Sequence, residues 1–207
     1  SASLVGSEMC IRDRPSSLTF ERAGQKTAAD EWEKYDIGDP VKQAAQPELD
    51  VQLLTINENS RPGIATDGVR SVVVHYTANP GSTAQNNRDY FESLKDTGEN
   101  QVSSNFVIGL DGEIIQCIPT NEIAYASNSR NNDSVSIECC HPDESGKFND
   151  STYRSLVRLT AWLCDTYGLS AEHVIRHYDT CGKECPLYFV RHEDAWEQFK
   201  ADVDSAM

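Results

Sequence analysis

The chain has 207 residues, a formal net charge of -15 and 38% hydrophobic residues, enough apolar material for one sizeable core. Its 18 Lys and Arg are outnumbered by 33 Asp and Glu and are scattered, which argues against nucleic acid as a partner. No run approaches the roughly 18 apolar residues of a membrane helix, so no membrane segment is expected in this chain.

Residues 1–14 contain Met-Cys-Ile-Arg-Asp at Met9 to Asp13 and read as a sequencing-adapter artefact of gene assembly. On that reading the native N-terminus, with any signal or anchor, is not the one present. Residues 15–50 are polar and acidic without a period of 2 or 3.6, the pattern of an arm or linker. Trp32, Tyr35 and Ile37 could form a partial helix within it. A folded domain is expected over residues 51–207, with turn chemistry at 58–63 just inside it.

The domain's elements alternate. The run Arg-Ser-Val-Val-Val-His-Tyr-Thr, residues 70–77, is a short buried strand carrying His75 near its C-terminal end. A helix follows from Ser82 or Thr83 to Gly98. Two apolar runs within 103–118 meet at Asp111-Gly112, a strong hairpin signal. Residues 133–140 form another strand, with Val135 and Ile137 on one face and Ser136 and Glu138 on the other.

The segment 149–168 is an amphipathic helix capped by Asn149 or Asp150 and stopped by Gly168. Its apolar stripe runs Tyr153, Leu156, Val157, Thr160, Leu163, Cys164, Tyr167. Residues 172–177 form a short strand ending at His177, and 193–203 a last helix with Trp196, Phe199 and Val203 inward. This order predicts a single α/β domain with a central mixed β-sheet flanked by helices.

The segment Val174 to Pro186, VIRHYDTCGKECP, sets a histidine, acids, a lysine and two cysteines where a packed element would carry leucine or valine. His75 and His177 each end a predicted strand, and Cys185 follows eight residues after His177. Strand ends line clefts, so the three could converge. Two neutral imidazoles and one thiolate leave a tetrahedral zinc one open position for water, the pattern of a hydrolytic site.

Either histidine alone would more often be a satisfied core histidine; the three together with this loop favour a site. Glu138 could act as general base beside such a metal, and Lys183 could stabilise an oxyanion. A closed zinc site from Cys139, Cys140, Cys181 and Cys185 fits poorly, because adjacent strand residues point to opposite faces. Seven cysteines allow no complete pairing, and reduced thiols or ligands are expected.

In order along the chain, VVVHYTANPG, SNFVIGLDGEIIQCIP, DSVSIECCHPDESGKF and VIRHYDTCGKECP resemble the zinc-dependent N-acetylmuramoyl-L-alanine amidases of the type-2 amidase and peptidoglycan-recognition-protein family. The resemblance runs from about Asp50 to Val203. It implies the amidase fold, Zn2+ as cofactor, His75, His177 and Cys185 as ligands, and Glu138 and Lys183 as catalytic residues. The reaction implied is hydrolysis of the amide between N-acetylmuramic acid and L-alanine of the peptidoglycan stem peptide.

Two positions depart from the family pattern. Ser104 stands where some phage members carry a catalytic tyrosine, which leaves Glu138 as the base. Tyr125 to Asn128 replaces a His-Ala-Gly-like segment. Asn105 is expected to face the cleft and contact substrate. Peptidoglycan or a muropeptide is the expected partner, acting on it as a monomer outside the cell or at the cell wall. A non-catalytic peptidoglycan-binding module is the alternative, against which the presence of Cys185 counts.

Overall fold

The computed structural model describes residues 43–207, so the expectations for residues 1–14, most of the arm and the Trp32, Tyr35, Ile37 cluster lie outside the described residues. Six strands form one sheet: β1 (Asp50–Val51), β2 (Ser71–Tyr76), β3 (Phe106–Ile108), β4 (Ile114–Gln116), β5 (Ser134–Cys139) and β6 (Val174–Arg176). Their order across the sheet is β1-β4-β3-β5-β2-β6. Only β3 and β4 pair antiparallel, as a hairpin; every other neighbouring pair is parallel. The mixed sheet is therefore as the alternation of elements predicts.

The helices are α1 (Ala84–Thr97), α2 (Asp150–Tyr167), α3 (His177–Cys181), α4 (Leu187–Arg191) and α5 (Glu193–Ala206). Thr83 caps α1 by accepting from the Asn86 N–H, and Asn149 caps α2 by accepting from the Thr152 N–H. Both helices end on a left-handed glycine, Gly98 and Gly168, which closes the last turn without a Cβ penalty.

Two apolar layers sandwich the sheet. On one face Val72, Val74, Val135, Ile137 and Cys139 meet Leu156 and Leu163 of α2 and Phe199 and Val203 of α5. On the other Val107, Ile115 and Cys140 meet Phe91 and Leu94 of α1. Cys139 and Cys140 thus do point to opposite faces, and neither is in a disulfide. Because side chains alternate, His75 and Glu138 fall on the α1 side of the sheet.

Four features differ from the sequence expectations. The α2 stripe is shifted: Thr152, Leu159 and Ala161 are buried, while Tyr153, Val157 and Tyr167 are partly buried at its margins. Contact with large residues on α5 and the sheet widens the buried face beyond a single 3.6-residue stripe. His177 does not end a strand but begins α3, since β6 stops at Arg176. Helix α4 and strand β1 were not expected, being five and two residues long with no resolvable periodicity. Ala44 and Leu49 pack against the larger apolar layer, so ordered contact begins ahead of residue 51.

The hairpin turn shows why glycine is needed at 112. Gly112 has φ 86°, and a Cβ there would lie 2.9 Å from Ser151 O and from Ser155 Oγ. The first turn of α2 holds the hairpin: Ser155 Oγ donates to Gly112 O, Thr152 Oγ1 to Gly109 O and Asn149 Nδ2 to Leu110 O.

A second clamp lies ahead of β2. Arg61 donates through Nε and Nη2 to both oxygens of Glu122, each at 2.8 Å, and through Nη1 to Leu54 O. The hydrogen bonds from Arg61 hold the Glu122 carboxyl below its ordinary 4.5. A carboxyl so depressed stabilises the fold above pH 4.5 and loses that contribution as pH falls through its folded value. Glu122→Gln is therefore expected to lower stability by roughly 1–2 kcal/mol at pH 7. In denaturant unfolding the gap from wild type should narrow below pH 4.5; a gap unchanged from pH 7 to pH 3 would contradict the ion-pair account.

Candidate metal and catalytic site

The site begins with register. Strands β2 and β5 run parallel with His75 directly beside Glu138, so both side chains leave the same face at the same level. Strand β6 pairs with the other side of β2, Val74 against Arg176, which places His177 one residue on, next to His75. The two rings lie 4.6 Å apart, and their Nδ1 atoms 3.1 Å.

Cys185 reaches the same point because the loop after α3 folds back. Tyr178 N–H donates to Cys185 O at 2.9 Å, Gly182 N–H closes α3 on Tyr178 O, and Cys185 N–H donates to Lys183 O. Cys185 Sγ then sits 3.9 Å from His75 Nδ1. All three residues are buried, and their ligand atoms lie within 4.8 Å of one another.

Arg176 holds α3 in place. Its backbone N–H donates to Asp179 Oδ2, its Nη2 to Asp179 Oδ1 at 3.0 Å and its Nη1 to Glu193 Oε2 at 2.6 Å. The guanidinium also stacks over Trp196 and Tyr178. A one-turn helix would otherwise fray, so this network around the buried Arg176 fixes where His177 points.

The electrostatics suit a dication. Burial first, then the charges of His177 and Lys183, hold His75 well below 6.5. Burial and Lys183 likewise lower His177, so both imidazoles are neutral donors at pH 7. Burial pushes the Glu138 carboxyl up to about 8, against the pull of the Lys183 ammonium. Burial and the Glu138 charge raise the Cys185 thiol, which only a bound cation would reverse.

The donor set fits zinc. Tetrahedral zinc with Zn–N about 2.0 Å and Zn–S about 2.3 Å sets N···N near roughly 3.3 Å and N···S near roughly 3.6 Å. The 3.1 Å and 3.9 Å separations observed lie on either side of those values. Glu138 Oε1 is 4.0 Å from His75 Nδ1, and Glu138 Oε2 is buried with no hydrogen-bond partner among the described residues. An orphaned carboxylate oxygen beside three convergent candidate ligands needs a partner that the described residues do not supply.

The other expected site residues divide. Lys183 lies on the exposed loop between α3 and Cys185, close enough for its charge to act on His75, His177 and Glu138. Asn105 is fully buried, with Oδ1 accepting from Ser136 N and Oγ and Nδ2 donating to Pro119 O and Glu122 O. Both acceptor sites and both donors are in use, so the side chain joins β3, β5 and the 119–122 turn and offers substrate no polar atom in this conformation. Ser104 is buried too, bonded to the backbone of Phe106 and Ser136.

Sequence reasoning did not find Arg176, Asp179 or Ser127, whose hydroxyl lies 3.2 Å from His75 Nε2. Arg176 and Asp179 did carry a signal, the capping-box spacing ahead of a one-turn helix. Ser127 carried none, since it meets a histidine 52 residues away in sequence.

Comparison with known proteins places the chain in a family and a fold. A relative from Bacillus licheniformis named N-acetylmuramoyl-L-alanine amidase CwlL is 34% identical over 164 residues, covering 73% of this chain and 45% of the relative. The chain spans about half the length of the curated relatives it matches. The solved catalytic domain of XlyA superposes with a TM-score of 0.63 at 26% identity, covering 76% of this chain and 99% of that domain. PlyL, at 24% identity, shares the fold with a TM-score of 0.67 over 78% of this chain and 99% of its own. The family described as N-acetylmuramoyl-L-alanine amidase matches residues 65–188, more than half of the sequence and all of the site, and the chain belongs to that family.

Proposed function

We propose that the chain is a zinc-dependent hydrolase that cleaves the amide between N-acetylmuramic acid and L-alanine of the peptidoglycan stem peptide. The observation that carries this reading is the convergence of His75, His177 and Cys185 beside the unpartnered carboxylate oxygen of Glu138. The family membership and the names of the relatives supply the bond. Among the described residues no helix is long and apolar enough to cross a membrane.

His75 Nδ1, His177 Nδ1 and Cys185 Sγ would hold the zinc, two imidazoles and a thiolate being a donor set that a catalytic zinc takes. When bound, zinc supplies Lewis acidity and makes water a competent nucleophile near neutral pH. Glu138 takes the proton of the attacking water, its Oε1 lying 4.0 Å from His75 Nδ1 and its Oε2 having no partner among the described residues. As the amide carbonyl becomes tetrahedral, negative charge grows on its oxygen, and the Lys183 ammonium stabilises that charge from the loop. Glu138 then gives the proton to the departing alanine nitrogen, which balances the reaction. Neutral His75 and His177 keep their lone pairs and take no proton.

Two expectations test this. Elemental analysis of purified protein should give about one zinc per chain in wild type, as a single three-ligand site requires, and far less in Cys185→Ala. An equal zinc content in the two proteins would remove Cys185 from the ligand set. Glu138→Gln should keep its zinc and lose about 10²- to 10⁴-fold in release of stem peptides from purified peptidoglycan. Unchanged release would take Glu138 out of the mechanism, while zinc-loaded wild type that binds muropeptide without cleaving it would mark a binding module.

A further inference from the structure

We infer that Ser127 is a positioning residue for His75, fixing which ring nitrogen of that ligand faces the metal. The inference rests on the metal reading above and concerns this chain's own second contact to the ligand. His75 is 1% exposed and Ser127 0%, so the contact is sealed from water. Nδ1 of His75 faces His177 and Cys185, and Nε2 lies 3.2 Å from Ser127 Oγ.

A neutral imidazole carries one proton, and the nitrogen that carries it cannot be a ligand. If Nδ1 is to donate its lone pair, Nε2 must hold the proton and Ser127 Oγ must accept it. A buried Nε2–H without that acceptor would lose its hydrogen bond in the ligating form, at a cost to metal affinity. With Nε2 engaged by the Ser127 hydroxyl, the ring is held with Nδ1 turned toward His177 and Cys185, the orientation a ligand there needs.

The local structure supports this assignment independently. Ser127 precedes the 3-10 turn Asn128–Arg130, at the N-cap position where a serine hydroxyl ordinarily accepts from a backbone N–H of the first turn. Here it makes no such bond. Asn131 does the local work in its place: its Oδ1 accepts from Ala126 N and Ser127 N, while Ser127 O accepts from Arg130 N. Asn128 adopts a left-handed φ of 53°, which turns the chain sharply just after the serine. The segment is held by its neighbours so that its one buried hydroxyl points at His75.

The other histidine has no counterpart. His177 Nε2 is buried with no hydrogen-bond partner among the described residues. The ligand set is therefore asymmetric, with His75 locked in orientation by Ser127 and His177 held through its helix by Arg176 and Asp179.

The test is zinc affinity, measured by competition with a chromogenic chelator for wild type, Ser127→Ala and Ser127→Thr. Ser127→Ala should bind zinc about 10- to 100-fold more weakly, and Ser127→Thr, which keeps the hydroxyl, should return to within about threefold of wild type. Nitrogen-15 spectra of zinc-loaded wild type should show His75 protonated at Nε2, a readout that needs no variant to fold. Equal affinity in wild type and Ser127→Ala, failure of Ser127→Thr to rescue, or a His75 protonated at Nδ1 would each overturn the role of Ser127 while leaving the zinc site intact. No zinc binding by wild type would overturn the metal reading, and this inference with it.

Discussion

Everything in the site depends on the pairing of β2 with β5. These are the two longest strands, parallel and central, and their register sets His75 level with Glu138. Side chains alternate with a period of two, so a slip of one residue would turn one of the pair into the layer packed on α2. Val72, Val74, Val135 and Ile137 make that slip costly, because it would exchange apolar residues for a histidine and a glutamate against Leu156 and Phe199. Packing on the face away from the site thus protects the geometry of the site.

Burial carries the electrostatic burden as well. Removing His75, His177, Glu138 and Cys185 from water pushes each toward its neutral form. Without a cation the cluster holds little charge but leaves polar atoms unsatisfied, Glu138 Oε2 and His177 Nε2 among them. Such a cluster weakens the fold on its own, and its arrangement makes sense through what it binds. The Arg61–Glu122 pair lies away from this cluster and contributes stability there, whereas the Arg176–Asp179 pair sits at the start of α3 and holds His177 in place.

Much of this was legible in the sequence because the signals were local. The triple valine before His75, the Asp111-Gly112 turn, the Asn149 cap and the Gly168 stop each encode their element within a few residues. The candidate ligands were legible as residue types, His75 at the end of a predicted strand and His177 and Cys185 in an unusual loop. Their coming together was not, since it requires β6 to pair beside β2 and the 178–185 loop to fold back. Asn105 shows the limit most clearly: a polar residue at a strand start reads as cleft-facing, yet its side chain is used four times over inside the protein. Ser127 shows the reverse, an unremarkable residue given importance by a contact across 52 positions. The one-turn helices α3 and α4 were invisible for want of length.

The candidate ligands are also distributed unevenly along the chain. His75 and its partners Ser127 and Glu138 lie in the first part of the domain, whereas His177 and Cys185 come only after α2 and β6. During synthesis on the ribosome, β2, β3, β4 and β5 emerge and can pair well before the second and third ligands exist. On the proposed metal reading, a nascent chain would lack the full donor set until its last elements have left the exit tunnel. On that reading, capture would be a late event that reports a finished fold, and a chain cut short after α2 would have strands and a first histidine but neither His177 nor Cys185.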